Sequence, residues 1–187
     1  MSEIKLLSLD ISSTTIGWAV FKYNKDEFDL IDYGFIKPPK KNKGSISFRL
    51  NETMSLIKNL ISKHGPDQIA VEDYAKGFSA KRSHANTIIT LSTFNETVCL
   101  AAYQSLNKDV CRYPVATIRS RVGKLFGIKT VSKEDIFSLI CQNATRFKLK
   151  LNKQGNVQKE NMDTVDGIAV GIAHMLVEGC HAKRYSL

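Results

Sequence analysis

The stretch from Leu6 to Phe21 most constrains what this chain can fold into. Ile4, Leu6, Leu7 and Leu9 form an apolar run that stops at Asp10, Ser12, Ser13 and Thr14 are turn formers, and Ile16 to Phe21 resumes an apolar, β-prone run. The pattern reads as strand, turn and strand. It puts a carboxylate at the end of a buried strand, where desolvation makes an unpaired charge expensive. Asp10 therefore needs a partner, unless its side chain merely caps the turn.

The chain that follows has the rhythm of an α/β protein. Asn24, Lys25 and Asp26 signal a turn, and Phe28 to Ile36 gives a third strand, so three strands joined by short turns form an antiparallel meander. Lys37 to Lys43, with Pro38 and Pro39, is a basic loop that cannot be a central strand and reads as a solvated linker. Leu50, Met54, Ile57, Leu60 and Ile61 recur at helical spacing between Phe48 and His64, and Gly65 and Pro66 close that helix. Gln68 to Tyr74 is a short buried strand that delivers a second carboxylate, Glu72, to its C-terminal end, where ligands sit in open α/β sheets.

After a Gly, Ser, Lys and Arg-rich segment from Ala75 to His84, a long helical pattern runs to about Leu106. Asp109 to Val115 is a further strand, Thr117 reads as the N-cap of a basic helix, and Ser132 with Asp135 forms a capping box opening a helix over 133–147. Residues 148–162 read as a polar loop. The last helix runs from Asp163 to about Val177, with Asp163 and Asp166 on one face of its first turn. Acids there suit the helix dipole. Gly167 to Ala173 is nevertheless almost wholly apolar, so this helix is buried and its acidic end meets the core.

At 187 residues, 43% of them hydrophobic and 24% charged, the chain is long enough for one domain over 1–187 and short for two. Its apolar runs fall well short of the roughly 18 residues of a membrane span, and its first residues resemble neither a signal peptide nor a transit segment. A soluble, intracellular, cytoplasmic protein is expected. Cys99, Cys111, Cys141 and Cys180 are scattered with no C-x-x-C pair, which argues against a zinc site or redox motif. The net charge of +9 favours a polyanionic partner, nucleic acid first.

Taken in order, three antiparallel strands, helix, strand, helix, strand and helices resemble the ribonuclease H-like fold, with a mixed five-stranded sheet flanked by helices. Leu9-Asp10-Ile11-Ser12 with Gly17-Trp18-Ala19-Val20, then Val71-Glu72, then Asp163-Thr164-Val165-Asp166 through His174 resemble the motifs of RuvC-type Holliday junction resolvases. The closing segment closely resembles the family's D-x-x-D-A-x-A-x-A-x-x-H pattern. The likeness spans residues 4–177. The first turn departs from it, being Ser/Thr-rich where relatives often have Gly, and the 148–162 loop is long.

This resemblance implies a homodimeric nuclease that nicks four-way DNA junctions in pairs. Asp10, Glu72, Asp163 and Asp166 would hold two Mg²⁺ ions, with Mn²⁺ able to substitute; four carboxylates held together repel one another, and divalent cations offset that. It also implies DNA contacts. Lys133 matches a family lysine, Arg119, Arg121 and Lys124 line the basic helix, Tyr74 and Phe78 are candidates to stack on a crossover base, and Lys76, Lys81 and Arg82 to meet phosphates. The helix after Glu72, about 83–106, would form the dimer interface. His174 is too far along its helix to share a metal with Asp163 and reads as a core histidine. Other readings of these residues are a YqgF-like nuclease acting on RNA, a nuclease for flaps, a junction-binding protein with a dead site, and an actin-like or sugar-kinase phosphate loop, which would need a second, duplicated domain.

Overall fold

The computed structural model describes residues 3–73, 85–129, 131–155 and 157–187. Its strands are β1 (Ile4–Ile11), β2 (Ile16–Tyr23), β3 (Glu27–Ile36), β4 (Gln68–Glu72), β5 (Cys111–Tyr113) and β6 (Arg184–Ser186). Its helices are α1 (Ile46–His64), α2 (Ala85–Leu106), α3 (Val115–Phe126), α4 (Lys133–Asn143) and α5 (Glu160–Val177). The strands form one sheet in the order β5-β4-β1-β2-β3-β6. β1, β2 and β3 pair antiparallel, while β4 joins β1, β5 joins β4 and β6 joins β3 in parallel.

Among the described residues the sheet has six strands, one more than the five expected. β6 is too short for any periodicity to announce it. It is held by side chains from elsewhere, with Tyr185 stacked on Phe28 at 5.3 Å, and Leu187 just beyond it is fully buried. Four helix boundaries also shift. α1 starts two residues before Phe48, because Ser45 accepts a hydrogen bond from the Phe48 amide. α3 is capped by Pro114, not Thr117, and α4 stops at Asn143, although Phe147 is still buried in the core. α5 starts at Glu160, before Asp163. The Ser132–Asp135 capping box forms as expected.

Period-two alternation sorts the strand residues onto two faces. Leu7, Leu9, Val20, Ile69 and Val71 pack against α1 and α2 through Ile57, Ile61, Phe94 and Val98. Leu6, Ala19, Phe21 and Ala70 pack on the other face, against α3, α4 and α5 through Ile118, Val122, Ile140, Ile168 and Ile172. α2 buries Phe94, Asn95, Val98, Cys99, Ala101 and Ala102, while Ile89, Leu100 and Tyr103 stay exposed. Among the described residues no helix is long and apolar enough to cross a membrane, and all four cysteines are free thiols.

Candidate active site

Alternation along β1 and β4 decides which way the acids point. Asp10 falls on the same face as Leu6 and Ser8, and Glu72 on the same face as Ala70, so both turn toward α5. β1 and β4 run parallel with Leu9 opposite Val71, so the next step along each strand brings Asp10 beside Glu72. The β1–β2 turn does not use Asp10 as its cap. The Ser12 hydroxyl does that work, accepting from the Thr14 and Thr15 amides at 3.2 and 3.0 Å and donating to the Thr15 carbonyl at 2.7 Å.

The other two acids arrive because α5 lies directly on the backbone of β2. Gly17 pairs with Asp10 across the β1–β2 ladder, and a Cβ on Gly17 would fall 1.7 Å from the Asp163 carbonyl oxygen. On the helix side, a Cβ on Gly167 would meet the Gly17 carbonyl carbon and the Trp18 nitrogen at 2.8 Å. Only two facing glycines permit this approach. The Ser8 hydroxyl reinforces it by donating to the Gly167 carbonyl at 2.7 Å within the core. The result is that one carboxylate oxygen from each of Asp10, Asp163 and Asp166 lies within 4.8 Å of the others. Glu72 joins Asp10 and Asp166 in lining a cleft of about 200 Å³, together with Arg119 and Lys133.

The charges are mismatched in a way that defines the site. Burial raises the Asp10 carboxyl well above its usual range, and Glu72, Asp166 and Asp163 push it the same way against the pull of Lys133. Glu72 is pushed up to about 7 by burial and then by the Asp166 charge. Asp166 and Asp163 are raised as well, chiefly by burial. Lys133 partly answers this excess, its ammonium 2.5 Å from an Asp166 oxygen. Burial works to discharge that lysine, yet the bond to Asp166 and the surrounding carboxylates outweigh it and raise its pKa. Three hard oxygen donors at this spacing, still short of positive charge, fit a divalent cation.

Of the basic residues named from the sequence, Arg119 and Lys133 reach this cleft. Arg121 and Lys124 do not line it: each residue of a helix turns about 100°, so Arg121 leaves the face that Val115, Ile118 and Arg119 present. Tyr74, Lys76, Phe78, Lys81 and Arg82 lie outside the described residues. His174 is the expected core histidine. Its Nδ1 lies 3.0 Å from the Tyr113 hydroxyl, and its Nε2 lies 2.9 Å from Gln68 Oε1. Some contributors escaped the sequence reading. Asn95, a lone buried amide in apolar α2, donates to the Glu72 carbonyl at 3.0 Å and so fixes the end of β4. The Thr15 side chain lines a groove with Asp163 and draws that carboxyl down, against the rise from burial.

Comparison with known proteins gives a consistent result. The family model described as crossover junction endodeoxyribonuclease RuvC matches residues 6–174. The protein of that name from Dehalococcoides mccartyi is 29% identical over 171 residues, covering 91% of this chain and 92% of its own. Among solved structures, Thermus thermophilus RuvC in complex with a Holliday junction substrate superposes with a TM-score of 0.72 at 13% identity, over 96% of this chain and 97% of that one. The yeast mitochondrial Holliday junction resolvase gives 0.67 at 12% identity, over 95% and 81%. The two superpositions bear on the fold, and they agree with the ribonuclease H-like arrangement expected from the motifs.

Proposed function

Because the chain belongs to the crossover junction endodeoxyribonuclease RuvC family, we propose that it resolves four-way DNA junctions by hydrolysing phosphodiester bonds at the Asp10 cleft. The observation that carries this reading is the convergence of Asp10, Asp163 and Asp166 within 4.8 Å, with Glu72 across the same cleft. Asp10, central in the cluster, would be shared between two Mg²⁺ ions; Glu72 and Asp166 would each hold one, and Asp163 would complete a ligand set or position water. When bound, such ions, or Mn²⁺ in their place, supply Lewis-acid stabilisation of the scissile phosphate and its leaving 3′-oxygen.

The chain's own residues do the rest. Lys133 and Arg119 bring positive charge to the cleft wall and would hold phosphate oxygens. Ile118, Ile136 and Ala169 line the same wall with apolar surface, limiting bulk water and strengthening the electrostatics inside. By resemblance to the family, Tyr74 and Phe78 would stack on a base at the crossover, and Lys76, Lys81, Arg82, Arg121 and Lys124 would meet phosphates farther out. We read residues 1–187 as one nuclease domain working in the cytoplasm.

Paired nicks on opposite strands need two like sites related by a two-fold axis. Ile89, Leu100 and Tyr103 of α2 and Leu56 of α1 are large apolar residues left exposed on the helical face that covers β1 and β4. We infer that a second copy of the chain covers this face.

The test is a nicking assay on labelled four-way junctions, flaps, plain duplex and RNA with Mg²⁺, for the intact protein and Asp10→Asn. Symmetric paired nicks near the crossover are expected, lost in the variant while junction binding persists. Cleavage mainly of flaps or RNA would overturn the substrate, and binding without metal-dependent cleavage would overturn the enzyme.

A further inference from the structure

The basic loop over 37–43 exposes its lysines to solvent, as a linker would, but is tied down at its prolines. Pro38 is buried, and Arg49 of α1, itself only 7% exposed, donates from Nε to the Pro39 carbonyl and from a terminal nitrogen to the Ser13 carbonyl, each at 2.7 Å. A charged side chain is thus kept inside to tie this loop to the turn that follows Asp10, and the Phe94 ring lies 4.9 Å from its guanidinium. The loop and turn form one wall of a groove of about 990 Å³, roughly five times the acid cleft.

This groove is basic and borders the acids. Five of its lining residues are cationic, Lys37, Lys40, Lys41, Arg49 and Lys159, against two acids, Glu160 and Asp163. Glu160 is already taken by Lys37, and Asp163 is the residue that also belongs to the carboxylate cluster. Lys40, Lys41 and Lys159 are exposed and carry no ion pair among the described residues. Thr14, Asn86 and Thr87 add neutral hydrogen-bonding groups along the floor and rim. Asp163 thus links the two cavities: it lines this groove, and its carboxylate lies within 4.8 Å of Asp10 and Asp166, which line the cleft with Arg119 and Lys133.

We propose that the groove seats the phosphates of the cleaved DNA strand on the side of the scissile bond opposite Arg119 and Lys133, with Lys40, Lys41 and Lys159 as the contacts. The proposal rests on the nuclease reading and adds to it a path: a strand laid across the acids continues over Asp163 between the 37–43 loop and the start of α5. Exposed, unpaired lysines beside hydroxyl and amide groups suit a backbone rather than base edges, so the contact is independent of sequence.

The experiment compares the intact chain with a Lys40→Ala, Lys41→Ala, Lys159→Ala variant and with a control variant carrying Lys25→Ala, Lys58→Ala and Lys108→Ala, exposed lysines that do not line the groove. Binding of a labelled four-way junction without divalent cation is measured against salt, and Mn²⁺ binding by calorimetry reports on the acid site. The groove variant should bind about tenfold more weakly, with the slope of log affinity against log salt reduced by roughly 2–3. Mn²⁺ binding should be unchanged, and the control variant should match the intact chain. Affinity and slope like those of the intact chain, loss equal to that of the control, or an effect confined to RNA strands would overturn the proposal. Nicking by the intact chain judges the nuclease reading separately, since the slope difference does not depend on cleavage.

Discussion

The two ends of α5 hold polar clusters that contrast sharply. At its C-terminal end, His174 is fully buried between the Tyr113 hydroxyl and Gln68, and the Tyr23 hydroxyl also bonds Gln68 at 2.7 Å. Donors and acceptors there complement one another, so the cluster is complete in itself. At its N-terminal end, Asp163 and Asp166 meet Asp10 and Glu72, four groups of one sign with Lys133 paired to Asp166. Both clusters are desolvated, but the first satisfies its own polar groups, whereas the second gathers like charges that a cation would balance, which makes it the candidate site.

Substitutions can break this contrast, the largest effect falling at the acidic end. Glu72→Gln should cut nicking by roughly 10³-fold or more, yet stabilise the metal-free protein. The folded carboxyl titrates at about 7 against an ordinary 4.5, so the folded state binds its proton more tightly. That stability is present below pH 4.5 and lost as pH rises through 7. Urea unfolding of the metal-free variant above pH 7 should therefore exceed the parent by a few kcal/mol, the gap closing toward pH 4.5. A variant no more stable than the parent would mean that the acids are not in conflict.

His174 should behave with the opposite sign. Burial lowers its pKa to about 4 from an ordinary 6.5, so the unfolded chain takes up the proton first. Stability should fall by about 3 kcal/mol as pH drops through that interval. His174→Leu should remove this dependence, cost about 2 kcal/mol at neutral pH by leaving the Tyr113 hydroxyl without its partner, and leave nicking unchanged at temperatures where the variant is folded. Loss of nicking in the folded variant would show that the two ends are coupled.

The smallest effect sharpens the comparison between them. Ser8→Ala removes the bond to the Gly167 carbonyl, which lies one residue after Asp166. It should cost about 1 kcal/mol in unfolding experiments and lower nicking only severalfold, since the Gly17–Gly167 contact still holds the helix down. An unchanged nicking rate would mean that backbone packing alone sets the acids.

What could be read beforehand was whatever depends on short stretches of chain. The end of β1 at Asp10, the end of β4 at Glu72, the capping box at Ser132 and the buried character of α5 follow from apolar periodicity and local capping, which act between near neighbours. The resemblance of these motifs to those of RuvC-type resolvases then brought all four acids and Lys133 into view. Other features depend on residues distant in the chain. β6 has almost no pattern of its own and exists because Tyr185 finds Phe28. Arg121 and Lys124 are as basic as Arg119, and only the docking of α3 decides which of them faces the cleft.

The sequence by itself therefore determined the chemistry: which carboxylates end which elements, and that their like charges would need a cation. Tertiary structure alone decided their assembly and surroundings. Two glycines let α5 touch the backbone of β2, Lys133 turns onto Asp166, and a buried arginine draws a basic loop alongside Asp163. The reason is physical: periodicity records the direction in which a residue is buried, whereas the identity of its neighbour depends on how closely two distant backbones can approach.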